Sequence, residues 1–112
     1  MSDPLRTVAS ADSPECRVLA TVAGRGQGVG FRAWTQAQAE ARGGRGWVRN
    51  RNRGNGDVEA LFCGPPLAVQ KLCARLMRGP PAARVDHVNE RRPDESELAL
   101  AGDAGFRQIA TI

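Results

Sequence analysis

The spacing of apolar residues along the first half of the chain predicts a strand, a glycine-rich loop and a helix. Within residues 17–23, small apolar residues recur at every second position, which is typical of a strand, and we expect it to end at Gly24. Residues 31–42 contain neither glycine nor proline and are rich in alanine, glutamine, glutamate and arginine. This composition predicts a helix, which the Gly43–Gly44 pair should end.

The following segment predicts a β-hairpin and a second helix. Residues 46–50 and 57–62 are typical of strands, and the glycine- and asparagine-rich residues 51–56 are typical of a turn between them. Pro65–Pro66 then open a stretch whose apolar residues recur at helical spacing, and Gly79 stops it. The apolar residues of this predicted helix are Val69, Leu72, Cys73 and Leu76.

The last third of the chain predicts two strands and a loop. Residues 84–91 are typical of a strand, but Val85 and Val88 are three positions apart, so that a bulge is needed to place both on one face. Residues 92–105 are polar and contain glycine, and we interpret them as a surface loop. Residues 106–112 alternate enough to predict a short final strand.

The order of these elements is strand, helix, strand, strand, helix, strand, with a short extra strand at the C-terminus. This order predicts an α+β, ferredoxin-like βαββαβ sandwich, with an antiparallel sheet and two helices on one face. Residues 1–15 are rich in proline, serine and aspartate and predict a disordered tail, and residues 16–112 form the domain. Trp34 and Trp47 are expected in its core.

The composition limits the partners, the cellular location and the metal sites that we expect for the chain. The formal net charge is +4 and the pI is about 9.8, but all basic residues except Lys71 are arginine, which is weak evidence for any partner. No apolar run is long enough to span a membrane, and we expect a cytoplasmic protein. Cys16, Cys63 and Cys73 form no CxxC pair and should be reduced. His87, the only histidine, should be half-buried on a late strand and cannot supply a two-histidine metal site.

The glycine-rich loop predicts an anion-binding site. Glycine occupies every second position from Gly24 to Gly30, between a predicted strand and a predicted helix. Unpaired N–H groups at a helix N-terminus and a backbone free of side chains suit a phosphate. The spacing fits neither GxGxxG nor GxxxxGK[ST], and Lys71 lies elsewhere. Arg32, the second residue of the predicted helix, can fold back over such a phosphate and bind it with two hydrogen bonds.

Three segments, taken together, resemble the acylphosphatases, small enzymes that hydrolyse mixed anhydrides of carboxylic acids and phosphate. They are Gly24-Arg-Gly-Gln-Gly-Val-Gly-Phe-Arg32, Gly46-Trp-Val-Arg-Asn50 and Gly56-Asp-Val-Glu59. The similarity extends over residues 17–112, with the segments in the family's order. A glycine loop alone is a weak signal, but the three segments in this order are specific.

The resemblance implies a ferredoxin-like fold, no metal or organic cofactor, and two catalytic side chains. Arg32 would hold the phosphoryl group, and Asn50 would orient the attacking water. The resemblance also implies that backbone N–H groups from the loop bind the substrate. These residues are Gly26, Gln27, Gly28, Val29, Gly30 and Phe31.

The chain departs from the family pattern at several positions. Gly26 stands where the family usually has an apolar residue, commonly valine, and we expect weaker phosphate binding from the more flexible loop. Arg42 and Gly44 stand where the family typically has leucine, and the 51–56 connector is about two residues longer than expected. These differences predict a domain of marginal stability.

The alternative function is a non-catalytic acylphosphatase-like module that binds phosphate or nucleic acid. Binding of nucleic acid is favoured by five arginines around the predicted hairpin, which are Arg42, Arg45, Arg49, Arg51 and Arg53. The aromatic pair that a ferredoxin-like sheet uses to stack RNA bases is missing, so that nucleic acid is not the expected partner. We expect a monomer that takes a small-molecule acyl phosphate or inorganic phosphate and has no membrane partner.

Overall fold

The computed structural model describes residues 15–25, 30–51 and 57–111, with no side-chain description for Arg25. Eight elements follow one another along the chain: β1 (Cys16–Arg25), α1 (Phe31–Ala41), β2 (Arg45–Asn50), β3 (Val58–Gly64), α2 (Pro66–Leu76), β4 (Arg84–Arg91), α3 (Glu95–Ala99) and β5 (Phe106–Gln108). The predicted βαββαβ order is confirmed. None of the helices in these ranges is long and apolar enough to cross a membrane.

The five strands form one sheet in the order β4-β1-β3-β2-β5. The first four strands pair antiparallel, as expected, whereas β5 pairs with β2 in parallel and makes the sheet mixed at this edge. The predicted last strand was too long, because the ladder covers only Phe106–Gln108. Because β3 pairs antiparallel with both β1 and β2, these two strands run in the same direction. Their C-terminal ends therefore lie at the same end of the sheet.

The main core lies between the sheet and the two long helices. One face of each strand contributes small and apolar residues, and α1 and α2 cover them with side chains such as Phe31 and Leu72. All four apolar residues predicted for the buried face of α2 are buried. Two helices on one face of the sheet are therefore confirmed.

A bulge in the pairing of β1 with β4 places both valines of β4 against this core. Ala23 pairs with His87 and Gly24 pairs with Val85, so that Asp86 is the extra residue. Val85 and Val88 consequently both pack on the helix side. His87 itself is exposed, not half-buried as predicted.

The interpretation of residues 92–105 as a surface loop was wrong, because they contain α3. Asp94 caps this helix by accepting a hydrogen bond from the Glu97 N–H at 2.8 Å, and the Glu97 carboxylate accepts one from the Asp94 N–H at 2.8 Å. The segment covers the second face of the sheet, where Trp47 is fully buried and donates from its indole N–H to the Glu97 carbonyl at 3.0 Å. The sheet thus has a small core on this face too.

Arg42 and Gly44, the two positions after α1 at which the chain departs from the family pattern, are accommodated in different ways. Gly44 is buried, and a Cβ atom at this position would lie 3.0 Å from Cδ1 of Leu72, so that Leu72 fills the space a larger residue would need. The guanidinium of Arg42 turns back onto Gln38 and donates to its side-chain oxygen at 3.0 Å. Leu72 of α2 therefore restores the core contact at this position. The lowered stability of the domain stays a prediction. The effect of the longer connector also stays a prediction, because its residues 52–56 lie outside the described ranges.

Candidate active site

The end of β1 is held close to β4 by a glycine. Gly24 has a φ of 141°, and a Cβ atom there would collide with the Arg84 carbonyl oxygen. A residue with a side chain would therefore push the two strands apart. Four of the six predicted loop donors, Gly26, Gln27, Gly28 and Val29, lie outside the described residues, and their role stays a prediction.

The start of α1 has no side-chain cap from its N-cap residue. Gly30 is the N-cap, with a left-handed φ of 78°, and among the described residues no side-chain cap hydrogen bond is made there. No acidic residue lies in that turn either. Because the N-terminal N–H groups and the helix dipole both favour negative charge, this end of α1 suits an anion.

Arg32 lies in this first turn, as the sequence predicts. Its side chain is partly exposed, and no residue in the described ranges makes a hydrogen bond or ion pair with it. A cation here opposes the helix dipole unless an anion is bound nearby. Phe31 has a different position, because its ring is buried and packs edge-to-face on Trp34 with 5.4 Å between centroids. Only the backbone of Phe31 is left to face a ligand.

Asn50 ends β2 on the same side of the sheet as α1. It pairs with Val58 of β3, and Val58 pairs on its other side with Val22 of β1. Directly paired residues point to the same face of a sheet. Val22 and Val58 belong to the core under the helices, so that Asn50 also points to the helix side. Its side-chain oxygen Oδ1 is buried and has no hydrogen-bond partner.

Thr35 is a further polar residue that the sequence pattern does not reveal. It lies one turn after Phe31 on the buried face of α1, and its hydroxyl is buried with no hydrogen-bond partner. The signal in the sequence is small: a single polar residue at helical spacing between Phe31 and Ala39, which are buried on the same face.

The arginines of the hairpin lie on the other face of the sheet and are paired with carboxylates. Arg49 lies 2.9 Å from the buried Glu59 and over the ring of Trp47, and Arg45 lies 2.8 Å from Glu15. Hydrogen bonding to Arg45 lowers the pKa of Glu15. These carboxylates offset the positive charge of Arg45 and Arg49 on this face, and the absence of a nucleic-acid partner stays a prediction. Arg53 lies outside the described residues.

Titratable metal-binding groups do not gather at this site. Within residues 15–25, 30–51 and 57–111, no three or more histidine, cysteine or acidic residues lie together in a way that could hold a metal ion. The three cysteines are free. The groups at this end of the sheet are the cation of Arg32, the uncapped start of α1 and the side-chain amide of Asn50. Together they can bind an oxyanion and orient a water molecule.

Comparison with known proteins decides the family. The sequence model named Acylphosphatase matches residues 18–107, from β1 to β5. The chain belongs to the acylphosphatase family. An acylphosphatase of Bradyrhizobium diazoefficiens is 49% identical over 93 residues, which is 81% of this chain and 91% of that protein. An acylphosphatase of Nitrobacter hamburgensis is 54% identical over 92 residues, with the same coverage of each chain.

Solved structures of acylphosphatases have the same fold. The acylphosphatase from Coxiella burnetii aligns with a TM-score of 0.73 and 31% sequence identity, over 91% of this chain and 100% of that one. The resemblance inferred from the three sequence segments is therefore confirmed. The range matched by the acylphosphatase family model includes Arg32 and Asn50.

Proposed function

We propose that this acylphosphatase binds the phosphoryl group of its substrate at the start of α1, with Arg32 and Asn50 as its catalytic side chains. Family membership gives the reaction: the protein hydrolyses acyl phosphates to a carboxylate and inorganic phosphate. The substrate is a small molecule.

The observation that carries this assignment is the unbalanced positive charge at the start of α1. The helix begins without a side-chain cap or an acidic residue, and Arg32 adds a cation in its first turn. A bound phosphoryl group offsets both contributions and accepts hydrogen bonds from the guanidinium. The N–H groups of Gly30 and Phe31 and those of the preceding loop, Gly26 to Val29, complete the proposed set of donors.

The reaction needs little more than this cradle and a positioned water. The water oxygen attacks phosphorus in line with the acyl oxygen, a new P–O bond forms, and the bond between phosphorus and the acyl oxygen breaks. The carboxylate leaves with the electron pair of that bond. Carboxylates are good leaving groups, so that no general acid is needed. Arg32 stabilises the charge on the phosphoryl oxygens throughout.

Asn50 is suited to hold the water but not to deprotonate it. Its Oδ1 has no partner and can accept a hydrogen bond from one water hydrogen. A neutral amide cannot take up the proton at neutral pH, and we propose that an oxygen of the substrate phosphate takes it. A pH–rate profile in which an enzyme group titrates near neutrality would contradict this step.

The residue assignment is tested by hydrolysis of acetyl phosphate in the presence of EDTA. Arg32→Gln keeps hydrogen-bonding capacity but removes the charge, and we expect kcat/KM to fall by about 100-fold or more. Arg92→Gln is the matched control, because Arg92 is exposed and follows Arg91, which pairs with Leu19 at the end of β1 away from the glycine loop, and it should retain full activity. Equal activity of both variants would overturn the role of Arg32.

We also propose a cytoplasmic monomer. Three free cysteines are typical of a reducing compartment. Among the described residues, the exposed large apolar side chains are only Leu67, Met77 and Leu100, which is too few for a stable hydrophobic interface. Light scattering should give a mass near 12.0 kDa, and a dimer mass would contradict the proposal.

A further inference from the structure

A positively charged groove runs between the C-terminal end of α1 and the outer face of α2. It has a volume of about 490 Å³ and is lined by Arg42, Lys71, Ala74, Arg75 and Arg78. Four of its five lining residues are cations, and none is acidic. Arg42 follows the last residue of α1, whereas Arg32 lies in the first turn, so that the two are about 15 Å apart along the helix axis.

The cations of this groove have no carboxylate partners in the described part of the chain. The ion pairs of the structure involve other basic residues, which are Arg17, Arg45, Arg49, Arg51, Arg84 and Arg91. Lys71, Arg75 and Arg78 are exposed, and Arg42 donates to the backbone and side-chain oxygens of Gln38. Within the described residues, the positive charge of this groove is therefore not balanced by any ion pair.

The spacing on α2 concentrates this charge on one stripe. Lys71 and Arg75 are four residues apart on α2, so that their side chains point in one direction, and Arg78, just after the end of the helix, lines the same groove. Like charges at this spacing destabilise a helix. Arg75 alone, in the last turn, interacts favourably with the helix dipole, but that effect does not account for Lys71.

We propose that this groove binds a small polyanion that contains two or more linked phosphates, at a site separate from the one at the start of α1. Lys71 and Arg75 are about 6 Å apart along the axis of α2, close enough for one short chain of linked phosphates to contact both. The lining contains no aromatic residue and only Ala74 as an apolar one, so that it recognises charge and not a base or an acyl chain. The inference is independent of the proposed catalytic residues.

Calorimetric titration with sodium tripolyphosphate tests the site. The variant Arg42→Gln/Lys71→Gln/Arg75→Gln should bind about tenfold more weakly or worse, because it removes charge-assisted hydrogen bonds. The control Arg84→Gln/Arg92→Gln/Arg107→Gln loses the same net charge at exposed positions outside the groove and should bind within about twofold of the parent. Equal weakening in both variants would show a non-specific effect of net charge and overturn the proposal.

Three further measurements locate the site and define its ligand. Amide shifts on adding tripolyphosphate should appear at Arg42 and along 71–78, and shifts confined to 30–32 would overturn a separate site. Inorganic phosphate should bind about tenfold more weakly than tripolyphosphate, since it meets fewer cations. ATP should bind within about threefold of tripolyphosphate, and much tighter ATP binding would contradict recognition by charge alone.

Activity and folding separate this proposal from the catalytic one. The groove variant should hydrolyse acetyl phosphate within about twofold of the parent, because Arg42 lies about 15 Å from Arg32 along α1 and because Lys71 and Arg75 are exposed on α2. If the triple variant does not fold, Lys71→Glu serves instead, because Lys71 is fully on the outside of α2 and its replacement leaves the core intact. Unchanged tripolyphosphate binding by a folded Lys71→Glu protein would overturn the proposal.

Discussion

Val22 and Asn50 pair with the same residue, Val58, from opposite sides of β3. Two strand spacings separate them, which is about 10 Å across the sheet. The glycine segment begins two residues after Val22, and α1 begins where that segment ends. This register therefore brings Asn50 to the end of the sheet at which Arg32 also lies, although the two residues are not adjacent in sequence.

Replacement of Asn50 should affect turnover more than substrate binding. We expect Asn50→Ala to lower kcat by about 100-fold while KM changes much less, because the role proposed for the amide is to orient the water and not to bind the phosphate. The free energy of unfolding should hardly change, since Oδ1 has no protein partner to lose. Steady-state kinetics with acetyl phosphate would measure the effect. Asn89→Ala, on the exposed edge strand β4, is the control, and equal kinetics of the two variants would contradict the assignment.

Gly26→Val should tighten binding of a phosphate mimic. Valine restricts the loop backbone, and the gain of about 0.5–1 kcal/mol corresponds to a roughly threefold lower inhibition constant for orthovanadate. The measurement is inhibition of acetyl phosphate hydrolysis by vanadate. An unchanged inhibition constant would show that Gly26 does not limit phosphate binding.

Gly46 is required for the close approach of β2 to β3. Its φ is 141°, and a Cβ atom there would collide with the Leu61 carbonyl oxygen. We expect Gly46→Ala to lower the free energy of unfolding by about 3 kcal/mol or more. Gly43→Ala is the control: its φ is 70° but no atom lies within 4 Å, so that only the left-handed backbone costs about 1 kcal/mol. Urea unfolding of both variants would measure the difference, and similar losses would contradict the steric explanation.

The ion pair between Arg91 and Glu97 should make stability depend on pH in the acid range. Hydrogen bonding to the Arg91 guanidinium, at 2.6 Å, lowers the pKa of Glu97 below its usual 4.5. A lowered pKa in the folded state contributes stability above the unfolded pKa and loses it as the pH falls through the folded value. Glu97→Gln should cost about 1 kcal/mol at pH 7, since Arg91 is half exposed.

Melting curves between neutral pH and pH 3 would measure this dependence. The difference in Tm between the parent and Glu97→Gln should be about 4 °C at pH 7 and should shrink as the pH falls below the usual 4.5 toward the lowered pKa of Glu97. Glu95→Gln, exposed on the same helix, should melt like the parent throughout. A difference that stays constant with pH would mean that Glu97 acts through packing and not through its charge.

The buried thiols should resist alkylation under native conditions. Burial raises the pKa of Cys73 to about 12, so that at pH 8 only about one molecule in ten thousand carries the thiolate. Cys63 is fully buried and its pKa is also raised, whereas Cys16 is partly exposed. Iodoacetamide should therefore modify Cys16 first, as mass spectrometry of peptides would show. Modification of Cys73 at the rate of Cys16 would contradict the packing of α2.

The elements with a clear period could be predicted from the sequence, and the short ones could not. The apolar period of α2 and the proline and glycine at its ends define it almost to the residue. In contrast, α3 has a single turn and no period, and its only signal is the Asp94-x-x-Glu97 capping box, which does not stand out in a polar segment. The parallel pairing of β5 depends on where the chain returns after α3, which no local pattern encodes.

The candidate site was predictable only in part, for a related reason. The motif places Arg32 and Asn50 on a helix start and a strand end, and both positions are confirmed. Their placement at the same end of the sheet and on the same face depends on the register of β1, β3 and β2, which is a property of the tertiary structure. The buried hydroxyl of Thr35 lies in a helix interior, where sequence alone gives no reason to expect an unpaired polar atom.

The two tryptophans lie on opposite faces of the sheet, and this placement gives the protein two independent optical reporters. Trp34 packs beside Phe31 on the helix side, two residues from Arg32. Trp47 lies under α3, with its indole bonded to the backbone of that helix. In a Trp47→Phe protein the emission comes from the neighbourhood of Arg32, and in a Trp34→Phe protein it comes from the region where α3 docks, so that fluorescence can follow each side of the molecule by itself.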